Sequence, residues 1–143
     1  MLFGKKKRQI VRLLVVEDEP LVAFDTEHFL AEAKFTIVAT IDRVAEALPI
    51  LASDTVVDLV LVDVNLADGS GVDVALAAQA RGVPVMFVTG SCPVEAKTLA
   101  AGCLSKPYTP RDLIAAIEAI EAMLGGSKPK RIPGGFMLFP VPV

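Results

Sequence analysis

The sequence predicts an α/β fold, a parallel sheet with helices on both faces, and three observations predict it. Short apolar runs alternate with helical patterns five times along the chain. Those runs are continuously apolar, as strands covered on both faces must be. The length, 143 residues, suits one hydrophobic core.

The elements follow in order. Ile10 to Val16 is β-branched and apolar apart from Arg12, and it stops abruptly at Glu17-Asp18-Glu19-Pro20. This is a buried strand followed by a helix with proline at its first position. Val22, Phe29, Leu30 and Ala33 recur at helical spacing, and Thr36 to Thr40 is the second strand. Val44 to Ala52 reads as a helix that Pro49 should kink or shorten. Leu59 to Val62 is a strand ending at Asp63, and Val72 to Arg81 is a helix closed by Gly82. Val83 to Val88 is the fourth strand, ending in Thr89-Gly90; Pro93 to Ala101 is a short helix; Cys103 to Ser105 is the fifth strand, ending in Lys106-Pro107. In the last helix Thr109 caps, Pro110 opens, and Leu113, Ile117, Ile120 and Leu124 make one apolar face before Gly125-Gly126.

Three units result: a basic arm over 1–9, a domain over 10–124, and a Gly/Pro-rich tail over 125–143. Pro129, Pro133, Pro140 and Pro142 exclude a regular helix or central strand from the tail. Ile132, Phe136, Met137, Leu138 and Phe139 are costly to expose. The tail should therefore dock on its own domain or on a neighbouring chain, which makes a homodimer one expected state.

Charge narrows the function. The arm residues Lys5, Lys6, Lys7 and Arg8, with Lys128, Lys130 and Arg131 near the other end, hold half of the 14 basic residues. All 17 acidic residues lie between Glu17 and Glu121. A domain so acidic is a poor partner for nucleic acid, and the basic ends read as solvated tails. No apolar run reaches the roughly 18 residues of a membrane span, and the N-terminus has its apolar and basic parts in the wrong order for a secretory signal. A cytoplasmic protein is expected. Cys92 and Cys103 match no metal-ligand spacing and no redox pair. His28, the single histidine, falls in a helical pattern.

Open parallel sheets bind ligands beyond the carboxyl ends of their strands. The first strand ends in Glu17 and Asp18, the third in Asp63, the fourth in Thr89 and the fifth in Lys106. Carboxylates brought together repel and raise one another's pKa, and one lysine does not offset them. A hard divalent cation does: Mg²⁺ takes oxygen ligands, waters and a substrate phosphate. An aspartate beside such a cation can act as a nucleophile and form an aspartyl-phosphate. Asp63 is the candidate because its strand should be central. Glu17 and Asp18 would hold the metal, while Thr89 and Lys106 would contact phosphoryl oxygens.

The pieces Leu13-Leu14-Val15-Val16-Glu17-Asp18-Glu19-Pro20, Leu59-Val60-Leu61-Val62-Asp63, Thr89 and Lys106-Pro107, in this order and spacing, resemble the CheY-like receiver domain of bacterial response regulators over about residues 10–124. The resemblance implies a flavodoxin-like (βα)5 sheet of strand order 2-1-3-4-5. It implies Glu17, Asp18 and Asp63 as Mg²⁺ ligands together with the carbonyl of Asn65, Asp63 as the phosphoacceptor, Thr89 as the switch hydroxyl, and Lys106 as the lysine of the pattern. It also implies a histidine kinase or histidine phosphotransfer protein as donor, a downstream protein as target, and no enzymatic turnover beyond the chain's own phosphorylation and dephosphorylation. With no DNA-binding or catalytic module after Leu124, a stand-alone regulator is expected.

The chain departs from the family in several places. Ala67 stands where a proline is usual, Gly90 follows Thr89 where most receivers have alanine, and Cys103 stands where an aromatic switch residue is expected. The short stretch from Thr89 to Lys106 calls for a short or irregular fourth helix. Thr89, Gly90 and Cys103 are thus the expected switch positions. Phe87-Val88-Thr89-Gly90 is similar to the Phe-Ala-Thr-Gly motif of stand-alone alphaproteobacterial receivers. The alternative reading is a degenerate receiver that binds partners without phosphorylation. A haloacid-dehalogenase-like phosphatase would have a second aspartate where Asn65 stands, and a flavodoxin would have a hydroxyl-rich loop in place of Glu17-Asp18-Glu19.

Overall fold

The computed structural model describes residues 8–140. In chain order its elements are β1 (Arg12–Val16), α1 (Pro20–Glu32), β2 (Thr36–Ile41), α2 (Val44–Ala52), β3 (Leu59–Val62), the two-residue strands β4 (Asn65–Leu66) and β5 (Gly69–Ser70), α3 (Gly71–Arg81), β6 (Val85–Thr89), α4 (Ala96–Leu99), β7 (Gly102–Ser105), α5 (Pro110–Leu124) and β8 (Phe136–Leu138). The main sheet runs β2-β1-β3-β6-β7-β8. Its first five strands are parallel, which is the expected 2-1-3-4-5 order. β8 adds a sixth strand, antiparallel to β7.

Alternation along these strands builds two apolar layers. Leu13, Val15, Leu61, Met86 and Leu104 pack with Leu30 of α1 and Leu113, Ile117 and Ile120 of α5. Leu14, Val16, Val60, Val62 and Phe87 pack with Ala47 and Leu51 of α2, Val74 and Ala78 of α3, and Ala96 of α4. Both faces are thus covered, which is why the strands carry no polar alternation. Among the described residues no helix is long and apolar enough to cross a membrane.

Most helix boundaries follow local chemistry. Thr109 Oγ1 accepts the Asp112 N–H at 3.1 Å, and Gly82 closes α3 at φ 80°, a left-handed geometry that glycine adopts without penalty. The expected kink at Pro49 does not break α2, which runs through it and ends three residues later. The Asp68 carboxylate, from the turn between β4 and β5, accepts the Val44 and Ala45 N–H groups at 2.6 and 3.0 Å. That remote cap holds the start of α2, and these bonds hold the Asp68 carboxyl below its ordinary pKa, the Ala45 N–H first among them. α4 is shorter than the expected Pro93–Ala101, with only Ala96–Leu99 helical.

The described residues on either side of the domain engage it. Glu121 accepts the Gln9 and Ile10 N–H groups at 2.7 and 2.8 Å, and Arg8 lies 4.1 Å over the Phe35 ring. Lys5, Lys6 and Lys7 lie outside the described residues. Arg131, expected to be a solvated charge, pairs with Asp112 at 2.6 Å. The tail docks on its own domain. Leu104 pairs with Phe136 and Gly102 with Leu138, and Phe136 and Phe139 are buried. Gly102 leaves the space for this, because a Cβ there would stand 2.6 Å from the Phe136 ring.

The cysteines overturn the sequence expectation. Cys92 and Cys103 are joined in a disulfide with their Cα atoms 6.3 Å apart. Their spacing carries no known signature; the pairing of β7 alongside β6 brings them together.

Phe136→Ala should lower the unfolding free energy by about 3 kcal/mol, the cost of emptying a buried aromatic site. Urea unfolding checks this, and an unchanged midpoint would mean that the tail strand does not dock.

Candidate functional site

The five expected site residues sit at one edge of the sheet, where backbone hydrogen bonds extend the strands. The Glu17 N–H donates to Ile41 O at 2.8 Å, Asp63 N–H to Val16 O at 3.0 Å, and Lys106 N–H to Thr89 O at 2.9 Å. Each polar side chain therefore begins where its strand leaves the apolar core. Glu17 and Asp63 are each 6% exposed, and Thr89 is 2% exposed.

Lys106 joins the carboxylates. Its Nζ lies 2.7 Å from Glu17 Oε1, 2.7 Å from Asp63 Oδ2 and 2.9 Å from Glu19 Oε1. Burial by itself would lower the Lys106 pKa, but the hydrogen bonds its ammonium donates to Asp63, Glu17 and Glu19 outweigh it and hold the group above its ordinary value. The Glu17 pKa is raised as well, which for a carboxyl disfavours the charged form. Burial raises its pKa, and the Lys106 hydrogen bond only partly opposes this.

Oxygens of Glu17, Asp18, Glu19 and Asp63 all come within 4.8 Å of one another. One ammonium among four carboxylates leaves an excess of negative charge that a divalent cation would offset. An oxygen-only donor set suits a hard ion such as Mg²⁺, so the residues present fit that group. Asn65 sits at the rim, exposed, with its N–H donating to Asp63 Oδ1 at 3.2 Å. Gly90 is exposed directly after Thr89. Cys103 is fully buried and disulfide-bonded, so its side chain is tied to Cys92. His28 lies on the exposed side of α1, 3.5 Å from Glu32, away from these groups.

Three contributors were not assigned roles by sequence. Glu19 shares Lys106, and the only signal for it is the acidic run it belongs to. Tyr108 donates to or accepts from Thr26 at 3.1 Å, and burial raises its pKa. With Val22, Phe29 and Pro110 these two line an open groove of about 460 Å³ beside Lys106. Gly71 is the third. A Cβ there would stand 2.0 Å from the Asp63 carbonyl oxygen, so α3 can start against the Asp63 backbone only with glycine.

The chain is similar to known proteins throughout this region. The model of the response regulator receiver domain family matches residues 13–118. The cell cycle transcriptional regulator CtrA of Caulobacter vibrioides is 32% identical over 117 residues, covering 77% of this chain and 50% of that protein. The phyllosphere-induced regulator PhyR of Methylorubrum extorquens is 32% identical over 115 residues, covering 73% of this chain and 41% of that protein. The chain thus spans about half the length, or less, of these curated relatives. Among solved structures, a response regulator receiver protein from Sinorhizobium medicae superposes with a TM-score of 0.68 at 26% identity, covering 78% of this chain and 94% of that one. The N-terminal domain of a three-domain response regulator/sensory box/GGDEF protein from Carboxydothermus hydrogenoformans superposes with a TM-score of 0.70 at 27% identity, covering 80% and 97%.

The raised Glu17 pKa has a consequence for stability. A folded-state pKa above the unfolded one favours folding while the group is protonated, and that contribution is lost as pH rises through and beyond the ordinary carboxylate range. At neutral pH the buried charge is therefore a net cost. Glu17→Gln should leave the metal-free chain at least as stable at neutral pH and flatten its stability between acidic and neutral pH. Melting at several pH values checks this; a loss exceeding about 1 kcal/mol at neutral pH would mean that the Lys106 pair outweighs burial.

Proposed function

This chain belongs to the family of response-regulator receiver domains, and on that footing we propose that it accepts a phosphoryl group on Asp63 in a two-component relay. The observation that carries the reading is the placement of Asp63 at the end of the central strand β3, 2.7 Å from Lys106 and within reach of Glu17 and Asp18.

Receivers bind Mg²⁺ in an acidic pocket. Here Glu17, Asp18 and Asp63 are the carboxylate ligands, with the Asn65 carbonyl as a fourth. The ion, when bound, offsets negative charge on the transferring phosphoryl group. The rest falls to the chain's own side chains. An Asp63 carboxylate oxygen attacks phosphorus, and the bond from phosphorus to the donor's imidazole nitrogen breaks. The Lys106 ammonium, already beside the acceptor oxygen, pairs with one phosphoryl oxygen, and the Thr89 hydroxyl donates to another. Positioning and charge stabilisation suffice, because the donor phosphoryl group is already activated.

The donor is a histidine kinase or histidine phosphotransfer protein, and the output is a change of shape read by a downstream protein. Thr89 and Gly90 begin the segment that moves. The basic arm over 1–9 and the tail over 125–143 complete the reading.

Incubation with acetyl phosphate and Mg²⁺ should add one phosphoryl group, and Asp63→Asn or excess chelator should abolish it, because an amide is not a competent nucleophile. Intact-mass measurement reads the product. Labelling that survives Asp63→Asn contradicts the assignment. No labelling of the parent chain would leave a receiver that binds partners without phosphorylation.

A further inference from the structure

The disulfide lies outside the carboxylate cluster and is not used by the chemistry proposed for it. Cys103 is the middle of three strands at one point: it pairs with Phe87 of β6 and Met137 of β8, and its side chain is fully buried. Cys92 stands on the loop after β6, three residues past Thr89, and is only partly buried. The bond therefore clamps the first residues beyond Thr89 onto the neighbouring strand across an 11-residue separation.

Little else clamps that segment. α4 has four residues, Val94 is 93% exposed, and a Cβ on Gly90 would meet nothing within 4 Å. Apart from the bond, the segment is held by the buried Ala96, by Leu99 and Ala100 against the apolar layer, by the Gln79 side chain donating to Thr98 O at 2.8 Å, and at its end by Ala101, whose N–H donates to Val85 O and whose carbonyl accepts the Phe139 N–H, each at 2.8 Å. The surroundings of Cys103, by contrast, are a closed apolar layer with Phe87, Ala96 and Phe139. A cysteine thiol packs there as a small hydrophobic group.

We propose that Cys92 and Cys103 are a reversible thiol–disulfide site whose reduction by a dithiol releases residues 90–101 from β7. Of the two residues Cys92 is the partly exposed one and Cys103 is fully buried, so attack is directed at Cys92. A thiolate of the reductant attacks Cys92 Sγ, the bond to Cys103 Sγ breaks, and Cys103 leaves as a thiolate that takes a proton from water. The second thiol of the reductant then attacks the mixed disulfide, Cys92 leaves as a thiolate that is protonated in turn, and the reductant ends as its own disulfide. Two electrons pass from reductant to protein. A disulfide oxidant such as glutathione disulfide reverses the reaction. Because the released segment starts at Gly90, the redox state sets how far the backbone after Thr89 can move.

The test uses the full chain without phosphorylation, so it stands whether or not Asp63 accepts a phosphoryl group. Before dithiothreitol the chain should show no free thiol by chromogenic thiol titration, and after it both cysteines should titrate. Amide hydrogen exchange in residues 90–101 should quicken on the order of tenfold upon reduction, with β1 and β3 unchanged, and glutathione disulfide should restore the slow exchange. The double variant Cys92→Ser, Cys103→Ser should exchange like the reduced chain in both conditions. Two reactive thiols that glutathione disulfide fails to pair would overturn the proposal. So would equal exchange of residues 90–101 in the two redox states, or unfolding of β1 and β3 on reduction.

Discussion

The Lys106 ammonium lies within 2.9 Å of Glu17, Glu19 and Asp63, and the arrangement of the strand ends depends on it. Glu17 and Asp63 leave neighbouring strands at nearly full burial. Without a cation between them, their charges would have to be neutralised by protonation or moved apart. Lys106 reaches them because β7 lies beside β6, and β6 beside β3. Strand order is thus the condition for the ion cluster, and the cluster in turn makes it possible for two buried carboxylates to end adjacent strands. The same ammonium leaves four carboxylates under-neutralised, so the site retains an attraction for a further cation. Stability and binding pull against each other here. The pKa of Glu17 rises with burial, so a carboxylate of this cluster is one whose charged form folding disfavours at neutral pH.

Two glycines set what can approach this frame. Gly71 lets α3 begin against the Asp63 backbone, and Gly102 lets Phe136 lie flat on β7. A side chain at either position would displace backbone or ring, because interiors are close-packed. One glycine serves the site and the other serves the outer edge of the sheet. The tail strand closes an edge that would otherwise present unpaired backbone groups.

What was legible in the sequence followed from burial on both faces of the sheet. Val15-Val16, Leu59 to Val62 and Val85 to Val88 are apolar without alternation because helices cover them twice, and this signal fixed the strands to within two or three residues. The strand-end residues were legible because polar groups stand out where such runs stop. Other features had no local signal. β4, β5 and β8 have two or three residues each, too few for a period to show, and β8 lies at the sheet edge, where its neighbouring prolines argue only against a central strand. The Asp68 cap on α2 spans more than twenty residues, so it depends on tertiary placement. The disulfide depends on β7 lying next to β6, which no spacing between Cys92 and Cys103 encodes. Pro49 sits inside α2, and the helix keeps the expected span Val44–Ala52.

The ends of β1, β3 and β7 are proposed to form one cation and phosphoryl site. Backbone amide chemical shifts followed during Mg²⁺ titration, without and then with beryllofluoride as a phosphoryl mimic, test it most directly. The account predicts saturable Mg²⁺ shifts confined to residues 17–19, 63–66 and 106. On adding beryllofluoride it predicts further shifts at Thr89 and Gly90. Shifts spread over the acidic surface without saturation, or saturable shifts that leave Asp63 and Lys106 unmoved, would contradict it.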